Sequence, residues 1–361
     1  RPLRLRSRQN RKEILCLREQ SNRRVEQSVM DDRYSRQHLF YGIGKTGQKL
    51  LSTKHVVIIG AGALGSAAAE TLVRAGVGRV TIVDRDFVEY SNLHRQVLYT
   101  ERDAENKMPK AEAAKEKLQK INSEPIVHAI VGEADVATLE ATLPADLIID
   151  ALDNFDTRML INDFSQKHRI PWIHGACVGS YGITYTVLPG ETPCLHCLME
   201  TIPLDGETCD TAGIIAPTVQ MVSSYQAAEA LKLLTENKES LRGTLLSFDL
   251  WQNELSSIRV DKLKRKDCPS CGENATYPYL TYENRSRMEV LCGRDAVQVR
   301  PAKQQYISFD ELKSRYKEHV QQENHFLLVL QLEGKRFVIF QDGRTIIHGE
   351  SDKKKARSLY Q

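Results

Sequence analysis

The chain has 361 residues, of which 41% are hydrophobic and 27% charged, a balance that supports a sizeable core and excludes a disordered, collagenous or disulfide-dense chain. Lys and Arg number 50 against 47 Asp and Glu, but the excess is local: residues 1–29 carry nine basic and three acidic side chains, a net of +6, which leaves −3 for residues 30–361. A basic excess confined to a tail excludes a nucleic-acid footprint spread over the fold, and no apolar run reaches the ~18–20 residues of a membrane span.

The length predicts two domains, one of ~250 residues and one smaller. Residues 1–29, Arg-rich and acid-poor, fit a targeting peptide or an upstream extension, and are expected to form a disordered basic extension ahead of Met30. Residues 31–54 read as amphipathic helix, with Tyr34, Leu39, Phe40 and Leu50 among polar neighbours. Val56–Gly60 is a β-branched run ending in glycine, the composition of a buried parallel strand. A helix with Leu64, Ala68 and Leu72 on one face follows, then a strand at Val80–Val83, which together make one βαβ unit. Residues 109–122 predict a helix opened by Pro109, with Ala114, Leu118 and Ile121 on one face. Strands are expected at 126–131 and 146–150, a helix then a strand across 151–178, a strand at 182–188, and a long helix at 216–235. Beyond Cys271 come a helix near 309–320 and three apolar runs separated by Glu333-Gly334 and Asp342-Gly343, dipeptides suited to hairpin turns. A helix at 352–360 closes this antiparallel meander. The expected class is α/β, a doubly wound, Rossmann-like, mostly parallel sheet at 30–275, with a structural zinc site and a small C-terminal α+β module at 286–361.

Five constellations carry chemistry. Gly60-Ala61-Gly62-Ala63-Leu64-Gly65 opens a helix directly after a strand, so phosphate oxygens can approach backbone N–H groups at the positive helix end. Asp84, at the tip of the next strand and 19 residues past Gly65, can accept hydrogen bonds from ribose hydroxyls. The bland alternative is a tight turn, and the fingerprint by itself favours a nicotinamide enzyme. Ser91-Asn92-Leu93-His94-Arg95-Gln96 and Met108-Pro109-Lys110 argue otherwise. A hydride-transfer site needs an apolar slot, whereas Arg95 and Lys110 can neutralise a triphosphate under attack, unless they are surface ion-pair residues. Asp150-Ala151-Leu152-Asp153-Asn154 ends a strand where doubly wound sheets bind ligands. Asp153 there can hold Mg2+, or the motif can serve as a helix N-cap.

Cys194 and Cys197 pair with Cys268 and Cys271 across 70 intervening residues. Two such CxxC pairs present four thiolates to one tetrahedral Zn2+ with no open coordination position, hence a structural zinc; redox pairs or unrelated thiols are the alternatives. Thiols used this way point to a reducing, cytoplasmic setting. His196 is not expected to be a ligand. Cys209, in a polar loop, can act as a thiolate nucleophile or be inert. Cys16, Cys177 and Cys292 take the inert reading.

Together these segments resemble the ubiquitin-activating-enzyme-like family that includes ThiF, MoeB and HesA, from Arg33-Tyr34-Ser35-Arg36-Gln37 to Cys271. GACVGSYG and CDTAGIIAP are more similar to the thiazole-forming ThiF branch than to MoeB. Ala63 and His94 depart from the common Gly and Gln, and no rhodanese Cys-Arg-x-Gly loop occurs. The resemblance implies an ATP-dependent adenylyltransferase acting on the C-terminal glycine of a ThiS-like sulfur carrier, for thiocarboxylate formation in thiamine thiazole biosynthesis. It implies that Asp84 binds ribose, that Gly60, Gly62, Ala63, Gly65, Ser91, Asn92, Arg95, Gln96, Lys110 and Asn154 surround the nucleotide, and that Asp153 holds Mg2+. It further implies that Arg36 reaches a neighbouring subunit of a homodimer, that Cys209 can link to the carrier, and that a sulfur donor such as a cysteine desulfurase is needed. A MoaD-like carrier is the near alternative; an NAD-dependent oxidoreductase and a non-catalytic carrier-docking scaffold are the remote ones.

Overall fold

The computed structural model describes residues 32–199, 212–281, 288–291, 296–301, 306–323 and 327–360. The helix expected over 31–54 is two helices, α1 (Ser35–Leu39) and α2 (Gly44–Leu51). Gly44, where the second helix begins, has φ +58°, a left-handed conformation that a continuous helix cannot contain. The βαβ units follow as β1 (His55–Ile59), α3 (Ala63–Arg74), β2 (Arg79–Asp84), α4 (Glu101–Glu105), α5 (Lys110–Ile121), β3 (Ile126–Val131), α6 (Val136–Ala141), β4 (Leu147–Asp150), α7 (Phe155–His168) and β5 (Trp172–Val178). After them come β6 (Tyr181–Val187), α8 (Leu195–Met199), α9 (Ala216–Leu234), β7 (Leu245–Asp249) and β8 (Glu254–Ile258).

These strands form one eight-stranded sheet in the order β3-β2-β1-β4-β5-β6-β7-β8. The first five run parallel and the last three add antiparallel. Side-chain alternation divides the central strands between two cores. Val56 and Ile58 face Leu72, Leu118 and Leu234 from α3, α5 and α9. Val57 and Ile59 face Leu160 and Phe164 of α7, with Trp172. Both faces are therefore covered, as a parallel sheet requires, and the mostly parallel α/β class holds. The edge strand β8 is exposed along its whole length, so it carries no inward-facing pattern that would have revealed it.

The second sheet is antiparallel, built from β9 (Met288–Leu291), β10 (Ala296–Val299), β11 (Val320–Glu323), β12 (Leu327–Leu332), β13 (Lys335–Phe340) and β14 (Thr345–His348) in the order β11-β12-β13-β14-β10-β9. Glu333 and Gly334 both have positive φ, 50° and 75°, the signature of the two-residue hairpin turn expected there. One face of this sheet packs on Phe309 and Leu312 of α10 (Phe309–Arg315) and on Ala356 and Leu359 of α11 (Lys353–Tyr360). The other face buries Leu327, Val338, Phe340 and Ile346 around Phe87, which lies in the loop after β2. Among the described residues, no helix is long and apolar enough to cross a membrane.

Candidate functional site

Strand order reverses direction between β1 and β4, so their carboxyl ends open a crevice in which doubly wound sheets bind ligands. Three loops meet there. Gly60 turns at φ +97°, and a Cβ on it would lie 2.5 Å from the Ala151 carbonyl oxygen, so the glycine loop rests directly on the loop after β4. A Cβ on Gly65 would lie 1.8 Å from the Gly60 carbonyl oxygen, so α3 can start this close to β1 only without a side chain. Gly62, by contrast, faces open space apart from Gln96 Nε2 at 3.9 Å from the same ideal position. Its backbone is approachable from the crevice.

Asp84 ends β2 beside this loop. Its carboxylate accepts the Ala61 N–H at 2.5 Å and the Asp86 N–H at 2.6 Å. Burial, with Asp86 nearby, raises its pKa against the opposing pull of Lys110. One lone pair on each oxygen stays available, the acceptor arrangement that a ribose diol needs. Tyr99, which no motif reading singled out, is buried between the same loops. Its hydroxyl donates to Ala61 O at 2.6 Å and lies 3.1 Å from Lys110 O.

Lys110 is the first residue of α5 and is 4% exposed, with Nζ 3.3 Å from Asp86 Oδ2. A cation at a helix N-terminus opposes the macrodipole, so helix stability does not account for this position. Residues 91–96 run alongside. Asn92 is buried and accepts the Glu89 N–H through Oδ1, closing a short 3-10 turn over Tyr90–Asn92. Gln96 is also buried, and its Oε1 has no hydrogen-bond partner among the described residues. Arg95 is half-exposed; it donates to Ser91 O at 2.9 Å and has no carboxylate partner among the described residues. Ser91 is exposed.

After β4 the roles of two acids separate. Asp153 is exposed and free of capping duty, because Asn154 is the N-cap of α7 and accepts the Thr157 N–H at 3.0 Å. Asp150 is fully buried: Oδ2 lies 3.1 Å from Arg158 Nε and 2.7 Å from His174 Nδ1, and Oδ1 accepts the Leu152 N–H. Arg158 also donates to Leu152 O and to Gly175 O, so it clamps the backbone that carries Asp153. Burial alone would raise the Asp150 pKa, but Arg158 and His174 overcome that effect and lower it. Arg158 and His174 escaped the motif reading. Their only trace is a cation inside an otherwise buried helix and a polar residue inside an apolar strand.

Arg36 is exposed on α1, beside Leu39, Phe40 and Tyr41, which are 76%, 53% and 95% exposed. Cys209 lies outside the described residues. Cys16 and Cys292 also lie outside the described residues, whereas the two CxxC pairs come together as their spacing predicts. Sγ atoms of Cys194, Cys197, Cys268 and Cys271 all lie within 4.8 Å of one another, a donor set with metal-ligand chemistry. Hydrogen bonding among the four holds Cys197 and Cys268 below the usual thiol range and Cys194 and Cys271 above it. His196, between two of these thiols in sequence, turns its Nδ1 to Ser270 Oγ at 3.1 Å instead. Cys177 is half-buried on β5.

The Arg158 clamp generates a prediction. Arg158→Met leaves the buried Asp150 carboxylate short of its main counter-charge and should destabilise the fold by roughly 3–5 kcal/mol. A lowered folded-state pKa means that the pair's contribution is present above the ordinary carboxylate range and lost as pH falls through the folded value. Denaturant titrations should therefore show the gap between wild type and variant largest at neutral pH and shrinking below pH ~4.

The ThiF family model matches residues 34–270. A sulfur carrier protein ThiS adenylyltransferase of Bacillus subtilis (strain 168) is 49% identical over 334 residues, covering 92% of this chain and 98% of that protein. A molybdopterin-synthase adenylyltransferase of Escherichia coli (strain K12) is 33% identical over 246 residues, 67% of this chain and 96% of that protein. Among solved structures, E. coli MccB with ATP superposes with a TM-score of 0.58 at 26% identity, over 66% of this chain and 74% of that one. With well over half of its length matched and the glycine loop, strand-tip acids and thiol cluster in place, the chain belongs to the ThiF family.

Proposed function

We propose that this protein adenylates the C-terminal glycine carboxylate of a small ubiquitin-like sulfur carrier of the ThiS type. The observation that carries the reading is Lys110, a buried ammonium at a helix N-terminus whose backbone Tyr99 ties to the glycine loop, where a polyphosphate would add to the counter-charge of Asp86. The extent of the matches favours ThiS over MoaD. The ThiS adenylyltransferase aligns over 92% of the chain, the molybdopterin-synthase adenylyltransferase over 67%.

In the reaction, a carrier carboxylate oxygen forms a bond to the α-phosphorus of ATP. The bond from that phosphorus to the bridging oxygen of the β-phosphate breaks, and pyrophosphate leaves with the electron pair. The product is an acyl-adenylate, a far better acyl donor than a carboxylate. The protein performs no covalent chemistry at this step; it aligns the reactants and neutralises charge. Asp84 receives the ribose hydroxyls. The backbone of Gly60, Gly62, Ala63 and Gly65, with Ser91, Asn92, Gln96 and Asn154, surrounds the phosphates, where the unpartnered Gln96 Oε1 can accept from a ligand hydroxyl or bound water. Lys110 and Arg95 sit against the charge that builds on the leaving pyrophosphate.

The exposed Asp153, relieved of capping by Asn154, suits a Mg2+ site, and bound Mg2+ would supply further charge neutralisation on the nucleotide. Arg36, among exposed apolar side chains on α1, suits a homodimer in which each copy completes the other's site. The terminal sulfur of a persulfide on Cys209, charged by a donor such as a cysteine desulfurase, then attacks the acyl carbon and displaces AMP; a second thiol attacks Cys209 Sγ in the resulting acyl disulfide, which releases the thiocarboxylate and leaves Cys209 in a disulfide. The four thiols suit a closed, structural Zn2+. The boundaries that fit this reading are a basic extension at 1–29, an adenylylation domain at 30–275 and a C-terminal module at 286–361.

Two measurements test this. Arg95→Ala should lower carrier-dependent exchange of labelled pyrophosphate into ATP by roughly 10²–10³-fold, and full retention would remove Arg95 from the mechanism. Elemental analysis of the purified chain should find one zinc per chain, and chelation should lower the melting temperature. No zinc, or an unchanged melting temperature on its removal, would contradict the four-thiolate assignment.

A further inference from the structure

The second sheet reaches the nucleotide crevice through one carboxylate. Glu133, in the loop after β3, lies 2.7 Å from Arg85 Nη1, 3.1 Å from Arg300 Nη2 and 3.2 Å from Arg344 Nε. Burial would raise its pKa, but the three guanidiniums hold it far below the usual carboxylate range. Arg344 belongs to the turn before β14; its side chain is 2% exposed and stacks 3.5 Å from the Phe340 ring centroid. Arg300 and Arg344 come from the C-terminal module, whereas Arg85 and Glu133 come from the first domain.

Three guanidiniums, of which Arg344 is buried, meet Glu133 together with Asp86 at 4.0 Å from Arg85 and Asp342 at 3.8 Å from Arg344, between two sheets that already share an apolar contact at Phe87. What they grip explains the arrangement. Arg344 Nη2 donates to the Arg85 carbonyl oxygen at 3.3 Å. That carbonyl belongs to the same peptide unit as the Asp86 N–H, which donates to Asp84 Oδ1 at 2.6 Å. One rigid peptide plane is thus held by the C-terminal module at its oxygen end and by the ribose carboxylate at its N–H end. The next residue's side chain, Asp86, pairs with Lys110, and its carbonyl accepts the Lys110 N–H at 2.8 Å.

We propose that Arg344 is a positioning residue of the nucleotide site, and that the C-terminal module serves adenylylation by fixing the 85–86 peptide and through it Asp84 and Lys110. The proposal rests on the adenylylation reading above. Removing the Arg344 fork frees the peptide to rotate, which misaligns the ribose acceptor and the Asp86–Lys110 pair.

The test uses the full chain and compares Arg344→Ala and Arg344→Lys with Val338→Ala, which loosens the same module at its apolar contact around Phe87 but removes no hydrogen bond or ion pair to the 85–86 peptide. Arg344→Lys keeps the buried charge and loses the fork, so it reports even where Arg344→Ala fails to fold. Calorimetric titration with a non-hydrolysable ATP analogue and Mg2+ should show affinity about tenfold weaker in the Arg344 variants. Pyrophosphate exchange should show a raised KM for ATP, an unchanged KM for the carrier, and Val338→Ala near wild type in both. Wild-type affinity in Arg344→Lys would overturn the proposal and leave the adenylylation reading standing. An equal loss in Val338→Ala would also overturn it, because the effect would then be general loosening. A wild-type chain that binds no ATP analogue would overturn both.

Discussion

Lys110 is a buried ammonium placed where a helix least favours one. At 4% exposure it has lost nearly all its water, it begins α5 at the positive end of the dipole, and its counter-ion is Asp86. The surroundings are organised to keep it there. Tyr99 joins the Lys110 backbone to the glycine loop, Asp86 O accepts the Lys110 N–H, and Asp84 is fixed by two amides on either side. On the proposed reading, a polyphosphate laid over Gly62 would meet the open backbone, the helix end and the ammonium at once. Without such a ligand the position opposes its helix; with one, dipole and side chain act in the same direction.

The rest of the fold serves that point. Sheet order places the direction reversal between β1 and β4, and the absent side chains at Gly60 and Gly65 let the first loop lie against the third. Beneath it, Asp150, Arg158 and His174 form a buried polar knot that holds the Asp153 backbone from below. The thiol cluster ties α8 to the segment after β8, at a distance in sequence that no local interaction spans. The second sheet approaches from outside and closes on the loop after β2 through Glu133 and Phe87. On the proposed reading, adenylylation is a property of loops, each held by a different buried contact.

Much of this was legible in the residues. Val56–Gly60 followed by the glycine loop has few structural alternatives, and the two CxxC pairs have one economical geometry. Glu333-Gly334 specifies its turn because both residues must adopt positive φ. What escaped did so for physical reasons. Gly44 divides the first helix by backbone conformation, while the amphipathic pattern continues across the break. Strand β8 is an exposed edge, so alternation is absent, and β7, largely buried but only five residues long, carries too short an apolar run to specify a strand. Tyr99, Arg158, His174 and Arg344 act through contacts between segments distant in sequence, which spacing along one segment does not encode. Asn154 illustrates the finer limit: Asp150, Asp153 and Asn154 lie in one short motif, and only backbone geometry makes Asn154 the cap.

The central claim is that the cations over the strand tips exist to meet a polyphosphate. Its most direct test is a crystal structure of the chain with Mg2+ and a non-hydrolysable ATP analogue. The account predicts Lys110 Nζ and the Arg95 guanidinium within hydrogen-bond distance of phosphate oxygens, with Asp84 on the ribose hydroxyls. A bound nucleotide with Lys110 still paired only to Asp86 and Arg95 turned to solvent would contradict it.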